Sequence, residues 1–108
     1  MNKYGQLALN DQENRNSPQE LEYFKGKHVI NIVSGYWNSF FICENDEIYS
    51  CGANNLGQLG LGNNQRNQEY STPQEVSNLK GKDIIELSSG YGHLLALSSF
   101  ILFNLIFL

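Results

Sequence analysis

Few side chains in this 108-residue chain could act as nucleophiles, metal ligands or phosphate binders. The loop Gly57-Gln58-Leu59-Gly60-Leu61-Gly62 is the one candidate for an anion cradle. Its spacing matches neither a G-x-G-x-x-G nor a P-loop, and no Lys-Ser/Thr follows it. Its glycines are better read as backbone devices for positive φ or close chain approach. His93, in Gly90-Tyr91-Gly92-His93, heads an apolar run and reads as a core histidine bonding backbone between sheets. A metal site would need more ligands, and the other histidine, His28, precedes a different strand. With Asn45-Asp46 as a two-residue turn, Cys43 faces Ile48 and Cys51 faces Phe40. A bridge between the two cysteines is therefore not expected, and both read as small buried hydrophobes. The acidic residues are scattered, and no Ser/His/Asp or Cys/His constellation can be assembled from the spacing. The chain reads as non-enzymatic, with no catalytic residue, cofactor or metal ligand assigned. Tyr36, Trp37 and Tyr91 stand just past glycines. They read either as packing between sheets or as exposed aromatic contacts for a partner.

The elements that must hold these residues follow from an internal repeat. Asn2-Lys3-Tyr4-Gly5-Gln6-Leu7-Ala8-Leu9 returns as Asn54-Asn55-Leu56-Gly57-Gln58-Leu59-Gly60-Leu61, 52 residues on. Ser17-Pro18-Gln19-Glu20, Lys25-Gly26-Lys27 and Ser34-Gly35-Tyr36 return as Thr72-Pro73-Gln74-Glu75, Lys80-Gly81-Lys82 and Ser89-Gly90-Tyr91, 55 residues on. Between Ser17–Ile42 and Thr72–Leu97, 10 of 26 positions are identical, several times what average residue usage gives by chance. This period suits a four-stranded propeller blade better than a helix pair. Short runs rich in β-branched and aromatic residues predict antiparallel strands over 28–34, 39–43, 48–51, 84–88 and 93–97. No segment predicts a helix. The amide-rich stretches Asn10–Asn16 and Leu61–Ser71 read as solvated loops.

Composition narrows the function classes. The net charge of −4 argues against binding a phosphate backbone. No signal-peptide layout precedes the repeats and no Asn-x-Ser/Thr acceptor occurs, which favours an intracellular, cytoplasmic or nuclear setting. Phe100–Leu108 has eight apolar residues in nine, far short of the roughly 20 that span a bilayer.

The motif Asn54-Asn55-Leu56-Gly57-Gln58-Leu59-Gly60-Leu61-Gly62, followed by Thr72-Pro73, Ser89-Gly90-Tyr91-Gly92-His93 and Ala96-Leu97, resembles the repeat of the regulator of chromosome condensation family. Ile48-Tyr49-Ser50-Cys51-Gly52 resembles the strand before that loop. The repeat motif is carried by Gly5, Gln6, Leu7, Gly35, Gly52, Gly57, Gln58, Leu59, Gly60, Gly62, Gly90 and His93. In the first copy Ala8, Asn10 and Asn38 replace Gly60, Gly62 and His93.

The resemblance implies an all-β fold, a partial β-propeller of about two blades of antiparallel strands. Copy one covers about 2–52 and copy two about 54–99, with 100–108 an apolar tail outside the repeat. After Ser98-Ser99 the turn and return strand of the repeat are not recognisable. The tail is read as sequence foreign to the repeat, or alternatively as a strand covering the open blade. The resemblance also implies a protein-interaction module of the adaptor or ubiquitin-ligase-associated type. The alternative is part of a guanine-nucleotide exchange factor for a Ran-type small GTPase. The partner is then a small GTPase, a ubiquitin-pathway protein or an adaptor. Open blade edges and the tail predict self-association.

Overall fold

The computed structural model describes residues 1–62, 68–99 and 104–106; part of the loop 61–71 and the run Phe100-Ile101-Leu102-Phe103 lie outside these. Two antiparallel sheets make up the described chain. The first has the order β1 (Val29–Ser34), β2 (Asn38–Cys43), β3 (Glu47–Ala53), β4 (Glu69–Glu75). The second has the order β5 (Ile84–Ser89), β6 (Leu94–Ser98), β7 (Asn104–Ile106). Helical structure among the described residues amounts to three single 3₁₀ turns, at Glu22–Phe24, Glu44–Asp46 and Ser77–Leu79. All five expected strands are present within a residue or two of their expected limits.

The β2–β3 hairpin departs from the expected register by one residue. Cys43 pairs with Glu47 and Cys51 with Ser39, because the turn holds three residues, Glu44–Asp46. Asn45 and Asp46 both sit at positive φ, 65° and 63°, which short polar side chains tolerate. The cysteines remain unpaired and buried.

One strand was not expected, and another was expected only as an alternative. β4 begins at Glu69, inside the stretch read as a solvated loop, and pairs with β3 through Tyr49↔Glu75 and Ser50↔Gln74. Its polar sequence and Pro73 hid it, yet an edge strand needs neither two apolar faces nor every N–H. β7 lies in the tail and pairs with β6 through Leu94↔Ile106, Leu95↔Leu105 and Ala96↔Asn104. Shifted by 55 residues, these are the pairs Ser39↔Cys51, Phe40↔Ser50 and Phe41↔Tyr49 of the first sheet. The return strand that the sequence lacked is therefore present, in the register of the repeat. Backbone pairing requires strand-compatible residues rather than the motif itself.

Sheet and sequence repeat are staggered. The first sheet takes β1, β2 and β3 from copy one and β4 from copy two, so the first sheet joins the two copies. Alternation along β2 sends Phe40 and Ile42 to one face and Phe41 and Cys43 to the other. On the first face, Phe40, Ile42 and Ile48 pack against Val76, Leu79, Ile84, Leu87, Leu94 and Ala96 around the second sheet. On the second face, Phe41, Cys43, Tyr49 and Cys51 are covered by Ala8 and Phe24, with Leu21 alongside. Each fully buried Phe, Ile or Leu here contributes roughly 1.5–3 kcal/mol relative to exposure. Gly52, at φ 111°, lets β3 cross close to β2: a Cβ there would lie 2.8 Å from Asn38 Cα.

Candidate functional site

The repeated amide-glycine loop is built twice with the same bonds. In copy one, the Leu7 N–H donates to Asn2 Oδ1 (2.9 Å) and the Tyr4 N–H to Gln6 Oε1 (2.9 Å). In copy two, the Leu59 N–H donates to Asn54 Oδ1 (3.2 Å) and the Leu56 N–H to Gln58 Oε1 (2.8 Å). Side-chain amides thus satisfy backbone donors that two successive tight turns leave free. The turns are closed by Gly5 N–H to Asn2 O and Ala8 N–H to Gly5 O, and by Gly57 N–H to Asn54 O and Gly60 N–H to Gly57 O. Gly57, Gly60 and Gly62 have φ of 75°, 72° and 69°, and Ala8 and Asn10 adopt 62° and 64° where copy one lacks glycine. Asn2 and Asn54 were missed as structural residues by sequence reasoning. The signal was present, since both copies keep an Asn four residues before the Gln.

These loops dock between layers. Leu59 is fully buried and its carbonyl accepts from Ser50 Oγ at 2.9 Å. The Gln6 carbonyl accepts from Ser39 Oγ at 2.8 Å and lies 3.6 Å from Cys51 Sγ. Burial pushes the Cys51 thiol up to about 12 and raises that of Cys43 as well, so neither is a ready nucleophile.

Docking the loops brings residues 4 and 56 against the β1–β2 and β5–β6 corners. Each corner is a four-residue turn, closed by Gly35 N–H to Asn38 O (2.9 Å) and Gly90 N–H to His93 O (3.0 Å). A Cβ on Gly35 would run into Asn38 Oδ1 and Ser89 Oγ, and one on Gly90 would lie 2.6 Å from His93 Nε2. Tyr4 packs on Trp37 with ring centroids 4.9 Å apart, and Leu56 takes the matching place on Gly92. Trp37 also meets Tyr36 (4.8 Å) and Tyr91 (5.2 Å), and Tyr36 meets Tyr91 (5.0 Å). The three aromatic residues named from the sequence thus form one cluster, with Tyr4 as a fourth member that the sequence did not suggest. Tyr36 is 64% and Tyr91 53% exposed, while Trp37 is half-buried beneath them. Lys3 Nζ stands 5.5 Å from the Tyr4 ring centroid and adds positive charge at the rim.

His93 is not a core residue: its side chain is exposed. Its counterpart Asn38 is buried, with Oδ1 accepting from Ser89 Oγ of the second sheet at 3.2 Å. His93 stands on the far side of that second sheet, where no described residue supplies the equivalent serine. The other histidine, His28, is exposed and meets Glu44 through Nδ1 at 3.0 Å, beside a cleft of about 610 Å³ lined also by Lys27, Cys43 and Glu47. Among the described residues no three His, Cys, Asp or Glu side chains gather as metal ligands.

Two blades of a propeller are what these sheets define, and the comparisons agree. The family model of the regulator of chromosome condensation (RCC1) repeat matches residues 1–42 and 45–97, and the chain belongs to this family. Among curated proteins, it is 35% identical over 98 residues to the human probable E3 ubiquitin-protein ligase HERC4, and 29% over 96 residues to the ultraviolet-B receptor UVR8 of Arabidopsis thaliana. Those matches cover 90% and 89% of this chain but only 9% and 21% of the relatives. The crystal structure of human WBSCR16 superposes with a TM-score of 0.69 at 28% identity, over 92% of this chain and 25% of that one. Yeast RCC1 (Prp20), solved bound to Kap60, gives 0.68 at 16% identity, over 93% and 25%, a likeness of fold.

Proposed function

We propose that this chain is a non-enzymatic protein-binding module whose contact surface is the aromatic cluster of Tyr4, Tyr36, Trp37 and Tyr91. The observation that carries this is the gathering of four aromatic rings at the corners of two adjacent blades, two of them more than half exposed. Aromatic side chains with a buried base and an exposed top give large contact area at small entropic cost, and they dominate binding hot spots. Rigid turns on two packed sheets hold them without a partner present. The partner class is a folded protein: a small GTPase, a ubiquitin-pathway protein or an adaptor. The likeness to the probable E3 ubiquitin-protein ligase HERC4 motivates the ubiquitin-pathway choice.

The test is binding of the immobilised chain to nucleotide-free small GTPases, ubiquitin-conjugating enzymes and adaptor proteins. A double variant, Tyr36→Ser with Tyr91→Ser, serves as the comparison. Binding should weaken at least about tenfold in the variant, as expected for hot-spot aromatics, with the far-ultraviolet circular dichroism unchanged. Undiminished binding by the variant would place the contact elsewhere. Accelerated nucleotide release from a captured GTPase would favour the exchange-factor alternative over the adaptor one.

A further inference from the structure

The two faces that the described residues leave uncovered are the two halves of the interface already present between the sheets. Shifted by 55 residues, Phe40 and Ile42, which pack into the second sheet, become Leu95 and Leu97 on that sheet's outer face; Leu95 is 44% exposed. Leu87 and Ala96, which receive Phe40 and Ile42, correspond to Ile32 and Phe41 of the first sheet. Ile32 is 56% exposed and lines, with Phe41, Leu7 and Leu21, a cavity of about 340 Å³. Asn38, buried against Ser89, corresponds to the exposed His93, and Ser89 corresponds to the exposed Ser34.

The edges match in the same way. Among the described residues the first sheet has four strands and the second three, which leaves β7 at an edge. Ser17-Pro18-Gln19-Glu20, counterpart of the β4 residues Thr72-Pro73-Gln74-Glu75, lies exposed and outside any strand, and among the described residues no backbone-to-backbone hydrogen bond engages 12–20. It is a β4 sequence without its β3. The same molecule cannot supply it to β7. The N-terminal segment lies on the Phe41 face of the first sheet and the second sheet lies on the Phe40 face.

We propose that the chain associates head to tail with a second copy of itself. Leu95 and Leu97 of one copy enter the cavity beside Ile32 and Phe41 of the next, His93 reaches Ser34, and residues 17–20 of the next copy extend the sheet beyond β7. The register follows from Tyr49↔Glu75 and Ser50↔Gln74: Asn104 stands opposite Glu20, and Leu105 opposite Gln19. Such a contact is heterologous, so it builds rings or open chains rather than a two-fold dimer. It uses the sheet faces and the β7 edge, and the same correspondence sets Tyr91 of one copy beside Tyr36 of the next, as Tyr36 and Tyr91 already meet between the two sheets.

Glu20→Cys and Asn104→Cys variants of the 108-residue chain, mixed under mild oxidation, test it. Opposed strand residues have Cα atoms about 4.5–5.5 Å apart, within disulfide reach. The native thiols are buried and do not compete. A mixed disulfide should form in the mixture and in neither variant alone. Sedimentation should show concentration-dependent association, weakened about tenfold or more by the exposed-site substitution Leu95→Asp. Any of three results would overturn the proposal: no mixed disulfide, a disulfide within either variant alone, or association unaffected by Leu95→Asp with circular dichroism unchanged.

Discussion

Phe40 and Leu95 occupy the same place in two copies of one repeat, yet Phe40 is fully buried and Leu95 is 44% exposed. Asn38 and His93 differ in the same sense. Neither difference comes from the strands themselves, which share register and turn closure. It comes from what lies on the far side of each sheet. A blade's own sequence prepares an apolar face, but only the neighbouring blade makes it a core, as expected for units that bury their surfaces against each other.

Phe40→Ala should cost about 3–5 kcal/mol, whereas Leu95→Ala in dilute protein should stay within about 0.5 kcal/mol. Urea denaturation of both variants checks this, and equal losses would mean that the second sheet's outer face is covered. Next comes the crossing of β2 and β3. Gly52→Ala places a Cβ at φ 111° and 2.8 Å from Asn38 Cα, and should lower stability by about 2 kcal/mol or more. Thermal unfolding would read it, and a neutral result would show that β3 can shift.

The two loops offer a finer contrast. Gly60→Ala should cost about 1–2 kcal/mol, since φ is 72° and the new Cβ would lie 3.3 Å from Leu94 Cδ2. The reverse change at the matching site, Ala8→Gly, should remain within about 0.5 kcal/mol of neutral, because relief of the left-handed backbone offsets the lost methyl burial. A pH-dependent effect concerns Cys51, sealed beneath residues of the first loop. Its folded-state pKa is raised from 9.0 to about 12, so the neutral thiol's contribution is complete below pH 9.0 and is lost as pH rises toward 12. By pH 9.5 the loss that Cys51→Ser removes should be on the order of 1 kcal/mol. Denaturation curves of both proteins at pH 7.5 and 9.5 measure it, and identical slopes would mean that the loop does not exclude solvent.

Much of this fold was legible because local pattern and repetition point the same way. The alternating apolar residues of 39–43 and 48–51 specify a hairpin, and the repeat Asn-x-x-Gly-Gln-Leu specifies a loop whose side-chain amides and glycines satisfy its own backbone. The family followed from the same residues. Register was less legible: whether a turn holds two or three residues depends on Asn45 and Asp46 both accepting positive φ. β4 and β7 were hidden because an edge strand is chosen by the β3-type strand it pairs with, not by its own apolar period. Tyr36, Trp37 and Tyr91 could be named from the chain, but the residues alone favoured core packing between blades, with surface contact as the alternative. Tertiary structure leaves Tyr36 and Tyr91 exposed and Trp37 half-buried, as it buries Asn38 and exposes His93. Burial is a property of two surfaces meeting, and the sequence of one repeat specifies only one of them.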